Sequence, residues 1–328
     1  MEQRRLGKTD MMVSEVSLGA WQVGGKWGSE FNHDNAERTL NSAIDGGVNF
    51  IDTADVYSDG ESERAVGRVV KSRSDEVFVA SKCGRQIDPH VSEGYTPRVL
   101  RSYVEDSLKR TGLERLDLIQ LHCPPTQVYY RPEIFGLFET LKLEGMIANL
   151  GVSVEKVEEA MKAIEFDNVT TVQIIFNVFR QRPAERFFKT AKERNVGIIV
   201  RVPLASGLLT GAYEEDTAFG RDDHRSFNRH GAAFDKGETF AGVPYETGLE
   251  AVRKLRDLLA APEPIAALAL RWILMFDEVS TVIPGASRAD QALANIKAAD
   301  LPPLSESQMR VVQNVYTDYI KPHVHQLW

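Results

Sequence analysis

The sequence predicts a (β/α)8 barrel formed by a single domain that spans residues 1–328. Eight short apolar runs recur along the chain, helix-type patterns lie between them, and no linker rich in proline, glycine or serine interrupts them. Strands that alternate with helices predict a parallel sheet, and eight such units predict that the sheet closes into a barrel. A doubly wound open sheet is the competing arrangement.

The eight apolar runs are expected to be buried strands. Their apolarity is continuous rather than alternating, which is typical of parallel strands that are covered on both faces. The runs are EVSLGAW (15–21), VNFIDTA (48–54), EVFVASK (76–82), LDLIQLH (116–122), IANLGVS (147–153), VTTVQIIFN (169–177), VGIIVRVP (196–203) and VSTVIPG (279–285).

The segments between these runs carry helix signals. The clearest is 96–112, where Thr96 suits the N-cap, Pro97 suits the first helical position and Gly112 suits a left-handed end. Similar patterns occupy 35–47, 153–164 and 183–197.

One segment, residues 211–245, lacks periodicity and is rich in charge, glycine and aromatic residues. A loop of this length in a compact domain is usually functional or disordered. Its four phenylalanines give it apolar surface to bury, so we predict an ordered lid between strands 7 and 8 of the barrel.

The composition excludes several classes of protein. Lys and Arg number 39 against 47 Asp and Glu, and the net charge of −8 disfavours non-specific binding to nucleic acid. Only two cysteines occur, and no apolar run is long enough to span a membrane, so we expect a soluble cytoplasmic protein. Zinc-type spacing and a GxGxxG dinucleotide fingerprint are both absent from the sequence, and no metal is expected.

Four polar residues are expected to converge at one end of the barrel. Asp52 ends the second run, with Tyr57 just beyond it, and Lys82 and His122 end the third and fourth runs. The carboxyl ends of consecutive parallel strands are neighbours, and functional groups of such barrels lie at that end. Each residue alone has an ordinary structural interpretation, and their joint placement favours a catalytic one.

These four side chains have complementary chemistry. An ammonium close to a phenol lowers the phenol pKa and eases proton donation, and a carboxylate keeps that ammonium charged and oriented. A neutral histidine is able to donate a hydrogen bond to a carbonyl oxygen and orient it. The set therefore predicts protonation of a carbonyl oxygen by Tyr57, with Lys82 tuning it, Asp52 supporting Lys82 and His122 orienting the substrate.

The motifs around these residues resemble the aldo-keto reductases. The resemblance is carried by GGVNFIDTADVYSDGESERAVG (46–67), VFVASKCG around Lys82 and LDLIQLHCP around His122, and it extends from residue 4 to residue 299. It implies a (β/α)8 barrel, a catalytic tetrad of Asp52, Tyr57, Lys82 and His122, and reversible interconversion of carbonyls and alcohols with NADP(H) and without a metal.

The resemblance also implies the cofactor contacts. It assigns the nicotinamide carboxamide to Ser153 and Gln173, although Val154 stands where the family usually has asparagine, and Arg201 stands where many relatives have an aromatic residue. Residues 203–211 would wrap the pyrophosphate, the helix start after 285 would attract phosphate, and Arg288 with Ser287 would hold a 2′-phosphate and favour NADP. The expected cofactor-binding residues are Trp21, Ser153, Gln173, Arg201, Pro203, Leu204, Ser206, Leu208, Gly285, Ser287, Arg288, Gln291 and Asn295.

The substrate is expected to be a small aldehyde, ketone or alcohol in a pocket walled by Trp21, Trp27 and Tyr129. An NADPH-dependent reductase is the leading hypothesis. The alternatives are a sugar dehydrogenase that works in the oxidative direction with NAD or NADP, and a nucleotide-sensing accessory subunit with slow turnover, which the lack of an appended N-terminal segment disfavours. Cys83 and Cys123 are expected to face away from the pocket if their strands stay extended.

Overall fold

The centre of the protein is a sheet of eight parallel strands, which we describe from a computed structural model that covers residues 1–25 and 30–328. Strands β1 (Gln3–Arg5) and β2 (Met12–Ser14) form an antiparallel hairpin before it. The strands of the sheet are β3 (Leu18–Gly19), β4 (Phe50–Asp52), β5 (Phe78–Cys83), β6 (Leu118–His122), β7 (Leu150–Ser153), β8 (Val169–Ile175), β9 (Gly197–Arg201) and β10 (Val279–Val282).

The sheet closes on itself. Each strand from β3 to β10 pairs with the next one along the chain, and parallel bridges Val16–Val282 and Gly19–Gly285 join the first strand to the last. The amide of Ser17 donates to the carbonyl of Val282 over 2.8 Å across this seam. The predicted (β/α)8 barrel is therefore confirmed, and the doubly wound sheet is excluded.

Helices surround the barrel. The segment 96–112 forms a helix as predicted, because Thr96 accepts from the Val99 amide at its start and Gly112 takes a left-handed conformation (φ 64°) at its end. In the described part of the chain, no helix is both long and apolar enough to cross a membrane. The helices are α1 (His33–Asp45), α2 (Glu61–Lys71), α3 (Pro97–Thr111), α4 (Pro132–Leu143), α5 (Val157–Ala163), α6 (Phe187–Glu193), α7 (His224–Phe227), α8 (Tyr245–Leu259), α9 (Ile265–Leu274), α10 (Ala289–Ile296), α11 (Glu306–Val315) and α12 (Lys321–Val324).

The hairpin β1–β2 fills the amino-terminal end of the barrel. Its apolar residues Leu6, Met11 and Val13 are buried against side chains from inside the barrel, which are Phe50, Ala80, Leu118, Ile199 and Ile283. Burial of this apolar surface stabilises the closed end. Asp52, Lys82 and His122 lie at the opposite, carboxyl end of the barrel.

The segment 211–245 lies between β9 and α8, which places it between the seventh and eighth strands of the barrel. It contains α7 and two short 3₁₀ turns, Lys236–Glu238 and Phe240–Gly242. Phe240 is buried and packs against Phe219 and Tyr245. Phenylalanine side chains of the segment therefore pack together, and Phe240 joins the main hydrophobic core.

The same segment also contacts the residues at the far end of the chain. The Trp328 indole nitrogen donates to Asp235 over 2.8 Å, and the Trp328 ring lies 3.9 Å from the buried Arg180 guanidinium. Gly237 and Gly242 pack so closely on this ring that an added Cβ would lie within 3.0 Å of it. The indole therefore packs beneath the 211–245 segment.

Candidate active site

The polar site develops from the inward faces of neighbouring strands. Phe50, Ala80 and Leu118 line the apolar interior, and the residues two positions later are Asp52, Lys82 and Gln120. Because strand side chains alternate between faces, these three also point inward, one layer closer to the carboxyl end. His122, two further along β6, reaches the barrel mouth.

Lys82 is fixed by three hydrogen bonds. Its Nζ donates to Asp52 Oδ1, to the backbone carbonyl of Thr53 over 2.9 Å and to Tyr57 Oη over 3.1 Å. An ammonium has three N–H donors, so all of them are in use. Burial alone would lower the Lys82 pKa, but Asp52 and Tyr57 outweigh it and raise the pKa above 10.5, so the side chain is charged at neutral pH.

Asp52 is held from its other side by two amides. Its Oδ2 accepts from Gln120 Nε2 over 2.9 Å and from Gln173 Nε2 over 2.8 Å. A buried carboxylate needs such donors in addition to its counter-ion. The sequence interpretation missed Gln120, although its position two residues before His122 on β6 was the available signal.

Tyr57 reaches this network from a tight turn. Ser58 and Asp59 adopt left-handed conformations (φ 48° and 53°), followed by Gly60 at φ 85°. Burial raises the Tyr57 pKa above 10.0 even though Lys82 works to lower it. We expected Lys82 to lower the Tyr57 pKa, and this expectation is wrong, because burial of the phenol raises the pKa by more than the ammonium lowers it. The phenol therefore carries its proton at neutral pH.

His122 lies beside Tyr57, with the ring centroids 5.9 Å apart and the planes nearly perpendicular. Burial, followed by the charges of Arg85 and Lys82, holds the His122 pKa well below 6.5. The imidazole is thus neutral and has one N–H to donate. Its Nδ1 is buried, and no described residue forms a hydrogen bond with it.

The residues expected at the nicotinamide lie on adjacent strands. Ser153 ends β7 and is paired in register with Gln173 on β8, and both are buried. Gln173 also donates to Gln120 over 3.1 Å, so its amide belongs to the Asp52 network. At Val154, where the family usually has asparagine, the backbone carbonyl accepts from Arg201 Nη2 over 3.0 Å.

Arg201 is buried in a group of charged residues. Its guanidinium lies 2.9 Å from Glu155 and 3.4 Å from Glu238. Glu238 also lies 2.8 Å from Arg85, which follows β5. These acids and Arg85 were not among the predicted site residues.

The expected pyrophosphate segment follows β9 as a pair of turns, with left-handed conformations at Ser206 and Gly207. Ser206 Oγ donates to the Glu238 carbonyl over 3.1 Å and accepts from the Phe240 amide over 3.0 Å. Pro203 and Leu208 are buried, whereas Leu204 is half-buried. Through Ser206, residues 203–211 are therefore hydrogen-bonded to the 211–245 segment.

The expected adenosine-phosphate residues lie on α10 and in the loop before it. Ser287 donates to Gln291 through its amide (2.9 Å) and its hydroxyl (3.0 Å), and Asn295 donates to the Gly285 carbonyl over 3.3 Å. Arg288 is 61% exposed and pairs with Asp290 on its own helix over 3.0 Å. Asn35 of α1, which was not predicted, donates to the Ser287 carbonyl.

The aromatic residues expected around the substrate are partly in place. The half-buried Trp21 ring lies 6.4 Å from Tyr57 and 4.9 Å from His224 of the 211–245 segment. Tyr129 is completely buried, so it supports the site from behind rather than forming an open wall. Trp27 lies outside the described residues.

The two cysteines differ in position. Cys83 remains in the extended strand β5 and packs in the core between the sheet and the helices, as expected. Cys123 does not face away, because its backbone turns to a φ of 47° directly after β6. Its sulfur lies 3.5 Å from both Ser153 Oγ and Arg201 Nη2.

Comparison with known proteins identifies the family. The sequence model of the Aldo/keto reductase family matches residues 15–317. The chain belongs to the aldo/keto reductase family. It is thereby an NAD(P)-dependent oxidoreductase, and the (β/α)8 barrel described above is the fold of its structural relatives.

Full-length relatives support membership of the aldo/keto reductase family. The uncharacterised oxidoreductase YqkF of Bacillus subtilis is 29% identical over 98% of this chain and 99% of its own. The NADH-specific methylglyoxal reductase of Escherichia coli is 25% identical over 92% of this chain and 94% of its own. The structure of glycerol dehydrogenase from Gluconobacter oxydans superposes with a TM-score of 0.77 at 28% identity, covering 99% of this chain and 96% of that one.

Proposed function

We propose that this protein reduces aldehydes and ketones to alcohols, with Tyr57 as the general acid. The observation that carries the proposal is the hydrogen bond from Lys82 Nζ to Tyr57 Oη. Because Tyr57 Oη accepts from the ammonium, its own hydrogen points elsewhere and is available to a substrate oxygen. As the proton leaves, the developing phenolate lies against a charged amine, which stabilises it.

The other tetrad residues prepare this transfer. Asp52 holds Lys82 charged and in place, and Gln120 and Gln173 hold Asp52. The neutral His122, which is T-shaped to Tyr57, is placed to donate to the same carbonyl oxygen and fix its direction. Since these groups are buried and preorganised, they stabilise the transition state without reorganisation.

The hydride must come from a nicotinamide dinucleotide, because no side chain supplies one. The buried Nδ1 of His122, which lacks a described partner, and the polar groups around Ser287 fit a site completed by a bound molecule. Ser153 and Gln173 would hold the carboxamide, residues 203–208 with Trp21 the ring and pyrophosphate, and Gly285, Ser287, Gln291 and Asn295 the adenosine part.

We infer NADPH as the preferred cofactor from Arg288. Its ion pair with Asp290 is exposed, and exposed pairs are weak, so the guanidinium is able to turn towards a 2′-phosphate. The similarity to an NADH-specific methylglyoxal reductase makes NADH the alternative to be tested.

The same groups also serve the reverse reaction, in which an ionised Tyr57 takes the proton of an alcohol. The similarity to a glycerol dehydrogenase makes this oxidative direction the second candidate. The deciding experiment is a panel of aldehydes, ketones, sugars and polyols assayed in both directions with NADPH, NADH and the oxidised forms. We expect faster reduction of carbonyls with NADPH, whereas turnover only of alcohols, or of none of these compounds, would reject the proposal.

A further inference from the structure

A buried group of arginines and acids lies beside the proposed catalytic residues, beneath the 211–245 segment. We call it the mouth cluster, and it consists of Arg85, Arg180, Arg201, Glu155, Asp235 and Glu238. Arg85 and Arg201 are close enough to His122 that their charges help to lower its pKa. The negative charge of Glu238 likewise helps to raise the pKa of Tyr57. Cys123, the neighbour of His122, lies 3.5 Å from Arg201.

One carboxylate joins the two arginines nearest the catalytic residues. Glu238 Oε1 lies 2.8 Å from Arg85 Nη2, and Glu238 Oε2 lies 3.4 Å from Arg201 Nη1. Glu238 comes from the 211–245 segment, whereas the two arginines come from the ends of barrel strands. The lid segment thus places an anion between two fixed cations.

Hydrogen-bond donors outnumber acceptors in the mouth cluster. Among the described residues, five buried guanidinium nitrogens of the mouth cluster lack a hydrogen-bond partner: Arg85 Nη1, Arg201 Nε, and Nε, Nη1 and Nη2 of Arg180. Only one carboxylate oxygen of the cluster, Glu155 Oε1, is buried without one. Because buried polar groups are normally satisfied, this excess of donors indicates a missing acceptor with negative charge.

A metal ion does not suit the same place. The ligand atoms of Cys123, Glu155 and Glu238 lie within 4.8 Å of one another. However, Arg201 already contacts Glu155 over 2.9 Å, and Arg85 contacts Glu238 over 2.8 Å. A cation added there would face two guanidinium charges at short range.

We propose that Arg85 and Arg201 form a subsite for an oxyanion carried by the substrate, so that the enzyme prefers small carbonyl compounds with a carboxylate or phosphate group. This inference rests on the proposed carbonyl reduction. The carbonyl would lie at Tyr57 and His122, and the anionic group would accept from the unpartnered Arg85 Nη1, beside the Nη2 that Glu238 occupies as an internal anion. Arginine suits this role because its planar fork of donors binds oxyanions in a bidentate manner.

The subsite is distinct from the proposed cofactor phosphate contacts. Arg85 follows the third strand of the barrel, whereas Ser287 and Arg288 follow the eighth. The strand that carries His122, β6, pairs with β5, which leads to Arg85, whereas α10 follows β10. The anion at Arg85 therefore belongs to the substrate side of the site.

The test compares substrates that differ only in charge. Succinic semialdehyde and butanal form a carboxylate pair, and glyceraldehyde 3-phosphate and glyceraldehyde form a phosphate pair. We expect kcat/KM to be at least about tenfold higher for the charged member of one or both pairs, the size expected for a charge-assisted hydrogen bond. The pair with the larger ratio identifies the oxyanion.

Variants assign that preference to the cluster. Arg85→Leu should bring the ratio of kcat/KM for the charged and the neutral substrate down to about 1, and Arg85→Lys should restore part of that ratio. Glu238→Gln, which removes the internal anion and keeps the shape, should lower KM for the charged substrate. Arg221→Leu, at an exposed position of the same segment, is the matched control and should leave kcat/KM unchanged for both the charged and the neutral substrate.

Equal kcat/KM for charged and neutral substrates, or equal losses of both in Arg85→Leu, would overturn the subsite and leave carbonyl reduction intact. If no carbonyl is reduced, the proposed function fails. The subsite is then tested by calorimetric titration, which measures whether succinate binds to the protein. Binding that Arg85→Leu abolishes would support an anion site, and absence of binding to the unmodified protein would overturn it.

Discussion

Lys82 Nζ lies 3.1 Å from Tyr57 Oη, and the other two hydrogens of this ammonium are donated to Asp52 and to the Thr53 carbonyl. The two residues are 25 positions apart, and the end of β5 and the turn after β4 bring them together. Since every donor of the ammonium is engaged, its position relative to the phenol is fixed. The following predictions depend on that arrangement or on the groups around it.

Replacement of Asp52 by asparagine should destabilise the protein. The change leaves the buried Lys82 ammonium without its carboxylate, and breaking a buried ion pair costs about 3–5 kcal/mol. Urea unfolding at pH 7 measures the loss. Asp290→Asn breaks the fully exposed pair with Arg288 and is the control, for which we expect no shift of the midpoint. An equal loss of unfolding free energy in both variants would mean that the buried Asp52–Lys82 pair stabilises the protein no more than the exposed pair does.

Replacement of Arg288 by alanine should weaken NADPH binding selectively. The guanidinium is expected to form charge-assisted bonds to the 2′-phosphate, so the Kd for NADPH should rise about tenfold or more, whereas the Kd for NADH should change less than about twofold. Fluorescence titration of the protein with each nucleotide gives both values. Parallel changes for NADPH and NADH would remove Arg288 from the 2′-phosphate site.

Asp55 should make the protein less stable as the pH rises from about 4 to about 7. Burial, followed by the neighbouring Glu63, raises the pKa of this carboxyl to about 7. Below about pH 4 the carboxyl is protonated in both the folded and the unfolded state, and the penalty is absent. Between these values only the unfolded state releases the proton, so the free energy of unfolding falls, and above about pH 7 the full penalty of a few kcal/mol remains.

Asp55→Asn should therefore stabilise the protein at pH 8 and change it little at pH 4, since both Asp55 oxygens lack partners among the described residues. Urea unfolding at several pH values between 4 and 8 measures this. Asp216→Asn, at an exposed site, is the control and should leave the pH dependence unchanged. A stability curve for Asp55→Asn that still falls over this range would contradict the assignment to Asp55.

Much of the fold was available from the sequence because local patterns and global topology agree in this chain. Each of the eight apolar runs contains or overlaps a barrel strand, and Thr96 and Gly112 bound α3 as their chemistry predicts. The hairpin β1–β2 was missed, because three-residue strands without a long apolar run give little periodic signal. Its role depends on Leu6 and Met11 meeting the barrel interior, which is a long-range contact.

Site residues at the ends of strands were predictable from the sequence. Site residues that reach the barrel mouth only because a distant segment folds over it were not. Asp52 and His122 are the last residues of β4 and β6, and Lys82 is the last but one of β5, so the order of the strands alone places them together. Glu238 and Arg85 are 153 residues apart and meet only because the 211–245 segment folds over the barrel mouth. The Tyr57 pKa was misjudged for a related reason, since burial of the phenol is a property of the whole site and not of its partner.

The central claim is that the Tyr57 hydroxyl donates the proton, and Tyr57→Phe tests it most directly. Phenylalanine keeps the ring beside His122 and removes only the hydroxyl. With the best substrate of the panel, single-turnover reduction should slow by about 10²–10⁴-fold, while the Kd for the cofactor stays within about twofold of the unmodified protein. An unchanged single-turnover rate with intact cofactor binding would contradict the account.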